Sequence, residues 1–230
     1  MQMKASEAGS LNEIDRWDGG AGWIAHPQEE MQRASHAVAT DEGLVVVDPV
    51  DVPDLDEWLA DLAEETGADG VAGVAVLLDR HKRDAAAVAT RHDVPVGVPA
   101  WMSGVTDELD ARTAALSHLL EDTSYEVRRI IDNPFWQEAA LYDDEAAVLV
   151  VPETFGTVEY YCAPGERLGV HPMLRAVPPR SLTEYDADRL LVGHGEGIAD
   201  DADDLMRTAL RQAMTNAPAL YLNTLKNAIF

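Results

Sequence analysis

The residues best suited to chemistry sit where apolar runs stop. Val74-Ala75-Val76-Leu77-Leu78 is followed at once by Asp79-Arg80-His81-Lys82-Arg83-Asp84. Leu44-Val45-Val46-Val47 stops at Asp48-Pro49, and Arg189-Leu190-Leu191-Val192 stops at Gly193-His194-Gly195-Glu196-Gly197. A short Val- and Leu-rich run reads as a strand buried on both faces. In open α/β sheets, ligand sites gather outside the carboxyl ends of the strands. The pattern therefore predicts a polar cleft ringed by these carboxylates and histidines.

The intervening sequence predicts the elements that must hold this cleft. Residues 1–20 are polar and read as irregular. Gly19-Gly20-Ala21-Gly22 is not a dinucleotide loop, because no strand precedes it and a strand-like Trp23-Ile24-Ala25-His26 follows. Residues 22–26, 35–40 and 44–48 read as strands, the last two joined by a tight turn at Asp41-Glu42-Gly43. Leu55, Leu59, Leu62 and Ala63 mark one face of a helix that runs from Pro53 to about Glu65 and stops at Gly67. Strand 71–78, helix 85–91 and strand 94–99 follow, which is βαβ logic with parallel pairing. A helix is predicted around 107–120. Strands are predicted at 125–131, 138–142, 146–151, 158–162 and 189–192, and helices at 200–214 and 217–225. Pro164-Gly165, Pro172 and Pro178-Pro179 mark a long irregular segment between them.

The chain has 230 residues, 47% of them apolar, so it can bury a substantial core. No apolar run reaches the ~18 residues of a membrane helix. Met1–Ser10 lacks the pattern of a signal peptide, and a cytoplasmic location is expected. Acidic residues outnumber basic ones by 42 to 17, a net charge of −25, with Lys4, Lys82 and Lys226 the three lysines. The acids are spread through well-patterned helices rather than gathered in a tail. A uniformly acidic, lysine-poor surface suits high salt, where screening removes self-repulsion. It also argues against nucleic-acid binding, which needs basic surface. Cys162 is the single cysteine, so an internal disulfide and a multi-cysteine zinc site are both excluded. It is expected to be a packed thiol.

Four stretches, in order, resemble the metallo-β-lactamase-fold hydrolases. Gly43–Asp48 is similar to that family's early strand ending in Asp. Val74–Asp84 falls where the family carries His-x-His-x-Asp-His. Ala146–Glu153 is similar to the strand ending in Gly-Asp, whose aspartate bridges two metals. Leu190–Glu196 matches the late Gly-His-Gly strand end. The resemblance covers residues 43–197 and implies one αββα sandwich of mixed α/β class over residues 1–230, with 1–20 as an irregular leader. The metal motif is degenerate. Asp79 stands for its first histidine, His81 keeps the second, Arg83 replaces the aspartate of the second metal, and Asp84 replaces the last histidine. The family's middle histidine should fall near Asp132–Trp136, where there is none.

A hydrolytic metal site needs about three protein ligands and one open position. The resemblance implies Asp79, His81, Glu153 and His194 as ligands and Asp84 as the catalytic carboxylate. Arg83 would contact substrate. One divalent ion, zinc, manganese or iron, would then support hydrolysis of an ester, thioester, amide or phosphoester. The alternative is a non-catalytic protein that binds a small molecule in the same cleft and has lost the metal, with Arg83 paired to Asp79, Asp84 or Glu153 in its place. His26, His36, His92, His118 and His171 lack paired ligand spacing; of these, His171 lies in the irregular segment beside the cleft and is a remote candidate for a ligand. Nothing around Ser35 or Ser103 marks a serine nucleophile.

Overall fold

The chain opens on an antiparallel meander in a computed structural model, which describes residue 3 and residues 9–229, the last four by their backbone alone. Its strands are β1 (Asn12–Trp17), β2 (Gly20–Ile24), β3 (Ala34–Thr40) and β4 (Gly43–Val47). The β3–β4 hairpin turns at residues 41–42, as its turn chemistry predicts. β1 departs from the irregular leader that was expected. Its sequence, Asn-Glu-Ile-Asp-Arg-Trp, has no clean apolar alternation, because it is an edge strand and keeps one side in water.

Parallel strands then extend this sheet. β5 (Val71–Ala75) pairs with β4, β6 (Val96–Val98) with β5, and β7 (Thr113–Ala115) with β6. The crossovers are α1 (Leu55–Thr66) and α2 (Ala85–Arg91). Leu55, Leu59, Leu62 and Ala63 of α1 are buried, as their spacing requires. Each leucine so buried contributes roughly 1.5–3 kcal/mol. The single helix expected at 107–120 is not formed. Two short helices, α3 (Ser103–Thr106) and α4 (Leu116–Leu119), flank β7 instead. The open edge of β6 offers a parallel ladder to Thr113-Ala114-Ala115, and those bonds override the helix preference of alanine.

The second sheet has the order β13-β10-β9-β8. It begins with the hairpin of β8 (Tyr125–Asn133) and β9 (Trp136–Asp143), followed by β10 (Val148–Val151). Residues 158–162, expected as a strand, form a turn. The pairing in this region is a small ribbon of β11 (Phe155–Gly156) and β12 (Gly169–Val170). β13 (Arg189–Val192) lies parallel to β10. The two expected terminal helices are one, α5 (Ala202–Ile229), which continues through Pro218.

Layering follows from which faces are apolar. α1 and α2 cover the first sheet and α5 covers the second. Between the sheets, Leu77 and Val74 from one side share a continuous core with Ala139, Leu141, Val150 and Leu191 from the other. The result is the αββα sandwich. Within the described residues no helix is long and apolar enough to cross a membrane.

Candidate functional site

Two pairs of parallel strands, one in each sheet, bring their carboxyl ends to one place. Asp48 follows β4, His81 and Arg83 follow β5, Glu153 follows β10 and His194 follows β13. One ligand atom from each of His81, Glu153 and His194 lies within 4.8 Å of the others. All three residues are buried, at 7%, 7% and 2% exposure. Gly193 makes this convergence possible. A Cβ there would lie 2.1 Å from the Pro152 carbonyl oxygen and 3.3 Å from His81 Cε1, so only glycine lets the β13 turn close on the β10 turn.

The hydrogen bonds set the tautomers of the two histidines. His194 Nδ1 lies 2.8 Å from the Met31 carbonyl, which can only accept, so Nδ1 carries the proton. His194 Nε2 faces Glu153 Oε2 at 2.9 Å. His81 repeats the arrangement. Its Nδ1 donates to Asp48 Oδ2 at 2.9 Å, and its Nε2 faces the same Glu153 Oε2 at 3.1 Å. Both Nε2 atoms thus converge on one carboxylate oxygen. Such an arrangement needs a positive centre: protons on both rings or one cation between them. Burial holds the His194 pKa low and so favours its neutral form. Burial by itself would raise the Glu153 pKa, but the adjoining His194 and His81 outweigh it and hold the carboxyl well below its usual range. The residues therefore fit a metal ion. Each imidazole is oriented through its outer nitrogen by an oxygen, which is how metal-ligating histidines are held.

Glu153 is itself positioned from behind. Glu138 on β9 is wholly buried and accepts from the Glu153 and Thr154 backbone amides at 3.0 and 2.7 Å, from Thr154 Oγ1 at 2.8 Å and from Trp136 Nε1 at 3.0 Å. His171 stands on the other side, with Nε2 3.5 Å from Glu153 Oε1. Its Nδ1 accepts from the Met173 amide, so Nε2 is the protonated nitrogen and faces Glu153 as a donor. Burial pushes the His171 pKa down to about 4, against the pull of Glu153.

Among the described residues Arg83 makes no ion pair with Asp79, Asp84 or Glu153, the pairing that the alternative reading supposed. Its Nη1 donates to the carbonyls of Ala34 (2.6 Å) and Asp48 (2.8 Å), and its Nη2 to that of Gly193 (3.2 Å). Nη2 is also 3.5 Å from His81 Nε2. Its pKa is lowered by burial, with Asp48 and Glu153 opposing. Both Arg83 (φ 38°) and Asp48 (φ 45°) hold left-handed backbone conformations, which non-glycine residues take up at a cost.

Two other expected site residues are not brought to the cluster. Asp79 accepts from Arg80 Nη1 at 3.1 Å and from the Gln137 amide at 3.3 Å. Asp84 accepts from the Asp51 amide at 2.8 Å, tying the start of α2 to the loop after β4. Glu138 was missed, as was Tyr161, whose ring stacks on His194 with centroids 5.4 Å apart. A lone carboxylate between Trp136 and the apolar run Ala139–Tyr142 was the available sign for Glu138. Cys162 beside Tyr161 is a packed thiol as expected: burial raises its pKa to about 12, and Sγ lies 3.5 Å from the Gly156 carbonyl. A surface depression of about 550 Å³ at the start of α1, lined by Asp51, Asp54, Asp56 and Arg91 among others, shares no residue with the cluster.

No family model matches the chain, and no curated protein matches it in sequence. Similarity lies in the fold. The DIM-1 metallo-β-lactamase, in a structure exposed to ceftazidime, superposes with a TM-score of 0.60 at 12% identity, over 93% of this chain and 99% of that one. The metallo-β-lactamase FIM-1 from Pseudomonas aeruginosa, in its mono-zinc form, gives 0.60 at 10% identity, over 91% and 97%. The flavodiiron protein from Giardia intestinalis gives 0.61 at 14% identity, over 90% of this chain and 60% of its own. The chain has the metallo-β-lactamase fold, as the order of its motifs implied.

Proposed function

We propose that this protein binds one divalent metal through His81, Glu153 and His194 and uses it to hydrolyse an ester, thioester, amide or phosphoester. The observation that carries this reading is the convergence of His81 Nε2 and His194 Nε2 on Glu153 Oε2, with both outer nitrogens already committed to Asp48 and Met31. Two imidazoles and one carboxylate suit zinc, and also iron(II) or manganese. A metal held there would supply Lewis-acid chemistry, lowering the pKa of a bound water and polarising the bond to be broken. The protein's own residues do the rest. Asp48 and the Met31 carbonyl fix the ligand tautomers, Glu138 fixes the turn that carries Glu153, and His171 donates toward Glu153 Oε1. Arg83 supplies a fixed positive charge where its motif position implies a second metal, so the reading is for one ion.

The test is metal content. The protein is purified in high salt without chelator and its zinc, iron and manganese are measured by elemental analysis. Close to one ion per chain is expected, falling to zero in His194→Ala. A preparation with no metal, and no uptake when metal is supplied, would overturn the reading.

The second reading is a non-catalytic protein that holds a small ligand in this cleft. It is favoured by the burial of the ligand residues and by the anchoring of Arg83 on three carbonyls. A metal-loaded protein inert toward a panel of simple esters, thioesters, amides and phosphoesters would support it over hydrolysis.

A further inference from the structure

We propose that α5 docks a second copy of this chain, through the uncharged face that runs from Met214 to Leu225. This face is independent of the metal-site reading.

Gln212–Leu225 contains no Asp, Glu, Lys or Arg, and no longer uncharged run occurs in a chain with 42 acidic and 17 basic residues. Much of this run faces outward. Among the described residues, α5 carries four exposed large apolar side chains: Met214 (63%), Tyr221 (47%), Leu222 (59%) and Leu225 (59%). Pro218 between them is exposed as well. At 3.6 residues per turn these positions fall within a stripe about 100° wide, and at 1.5 Å per residue it runs about 16 Å along the helix. A different face of α5 packs on the domain. Met206, Ala209, Leu210, Ala213 and Leu220 form it and are buried. Tyr221 Oη donates to the Pro172 carbonyl at 2.9 Å, which brings one border of the stripe to the residue before Met173, itself 76% exposed.

A contiguous apolar stripe on a charged surface marks an interaction site. Its spacing fits a helix as the occupant. Met214, Pro218, Tyr221 and Leu225 follow one another at steps of four, three and four residues, the a/d spacing of a seam between two helices. The flanking Thr215, Ala217, Leu222 and Thr224 are uncharged, so the seam has no charge pattern by which an unlike helix would be selected.

Charge separates the remaining occupants. At a net charge of −25 the chain repels nucleic acid and anionic lipid, and it repels its own copies wherever acidic faces meet. A cationic partner gains more on any acidic face than on this one. Two copies of the stripe, related by a two-fold axis, bury apolar surface against apolar surface with no like charges in the contact. The rest of the two acidic bodies still repel at long range, and salt screens that repulsion. The dimer therefore tightens as salt rises.

Sedimentation equilibrium of the full chain, from low salt to 2 M sodium chloride, is the test. It compares the wild type with Met214→Glu, Leu225→Glu and Phe135→Glu. The last places the same charge on an exposed apolar residue far from α5 in sequence. A wild type that reaches twice its 25.0 kDa as salt rises is expected. Met214→Glu and Leu225→Glu should each raise the dissociation constant at least about tenfold, equal to about 1.4 kcal/mol, while Phe135→Glu leaves it unchanged. A wild type that is monomeric at every salt concentration overturns the proposal. So does a dimer that Met214→Glu and Leu225→Glu leave intact, or one that Phe135→Glu weakens equally. A monomer that floats with phosphatidylcholine vesicles, and loses this in Met214→Glu, would assign the stripe to lipid instead. Far-ultraviolet circular dichroism checks the fold of each variant, and should Met214→Glu unfold, Leu225→Glu decides alone.

Discussion

Asp48 holds His81 by its side chain: Oδ2 lies 2.9 Å from His81 Nδ1, while Oδ1 accepts from the Leu77 amide at 2.9 Å. The carboxylate therefore spans β4 and the segment that follows β5, and it keeps the proton of His81 on the outer nitrogen. Replacing it with asparagine preserves the size of the side chain and removes the charge. Asp48→Asn is expected to weaken metal binding by about 10–100-fold. Competition against a chelator of known affinity measures this, and an unchanged dissociation constant would show that Asp48 does not set the ligand.

Glu138 accepts four donors in a fully buried place. Burial raises its pKa, and the bonds from Thr154 and Trp136 oppose that rise. Glutamine would turn an amide donor toward groups that also donate. Glu138→Gln should cost about 2–3 kcal/mol of stability in urea unfolding, the scale of hydrogen bonds to a buried charged acceptor. A loss under ~1 kcal/mol would mean that the turn at 152–154 is held by its other contacts.

His171 links stability to pH. Its folded pKa of about 4 lies below the ordinary histidine value, so between about pH 6.5 and 4 the unfolded chain takes up a proton that the folded chain refuses. Stability contributed by neutral His171 is therefore intact above pH 6.5 and is lost as the pH falls toward 4, by up to about 3 kcal/mol. His194, whose pKa is also lowered by burial, acts in the same direction. In the presence of chelator, His171→Asn should flatten the decline over this range, because asparagine does not titrate. Parallel curves for the two proteins would contradict the assignment.

The net charge of −25 predicts a strong salt response. Raising sodium chloride from 0.1 to 2 M shortens the Debye length from ~10 Å to under ~3 Å and removes most self-repulsion. The melting temperature should rise by at least ~2–4 °C, since 1 kcal/mol moves a domain of this size by that much. A melting temperature that is flat or falls with salt would count against a surface adapted to high salt.

Much was written in local pattern. The β3–β4 hairpin, α1 and the parallel run of β4, β5 and β6 follow from turn residues and apolar period, which neighbours in sequence determine. His81, Glu153 and His194 were legible because each ends a recognisable strand. The sequence could not decide β1 and β7: one is a polar edge and the other an alanine-rich stretch, and both form because a neighbouring strand offers a ladder. The helices expected at 200–214 and 217–225 are one, α5, which continues through Pro218. The role of Arg83 was likewise closed to sequence. Its acceptors are backbone carbonyls of residues 34, 48 and 193, and every residue type carries a carbonyl, so no letter marks them. The tautomers of His81 and His194 depend on Asp48 and on the carbonyl of Met31, which folding brings in from far along the chain. Sequence determined which groups were present at the strand ends, and tertiary structure decided which way each points its proton.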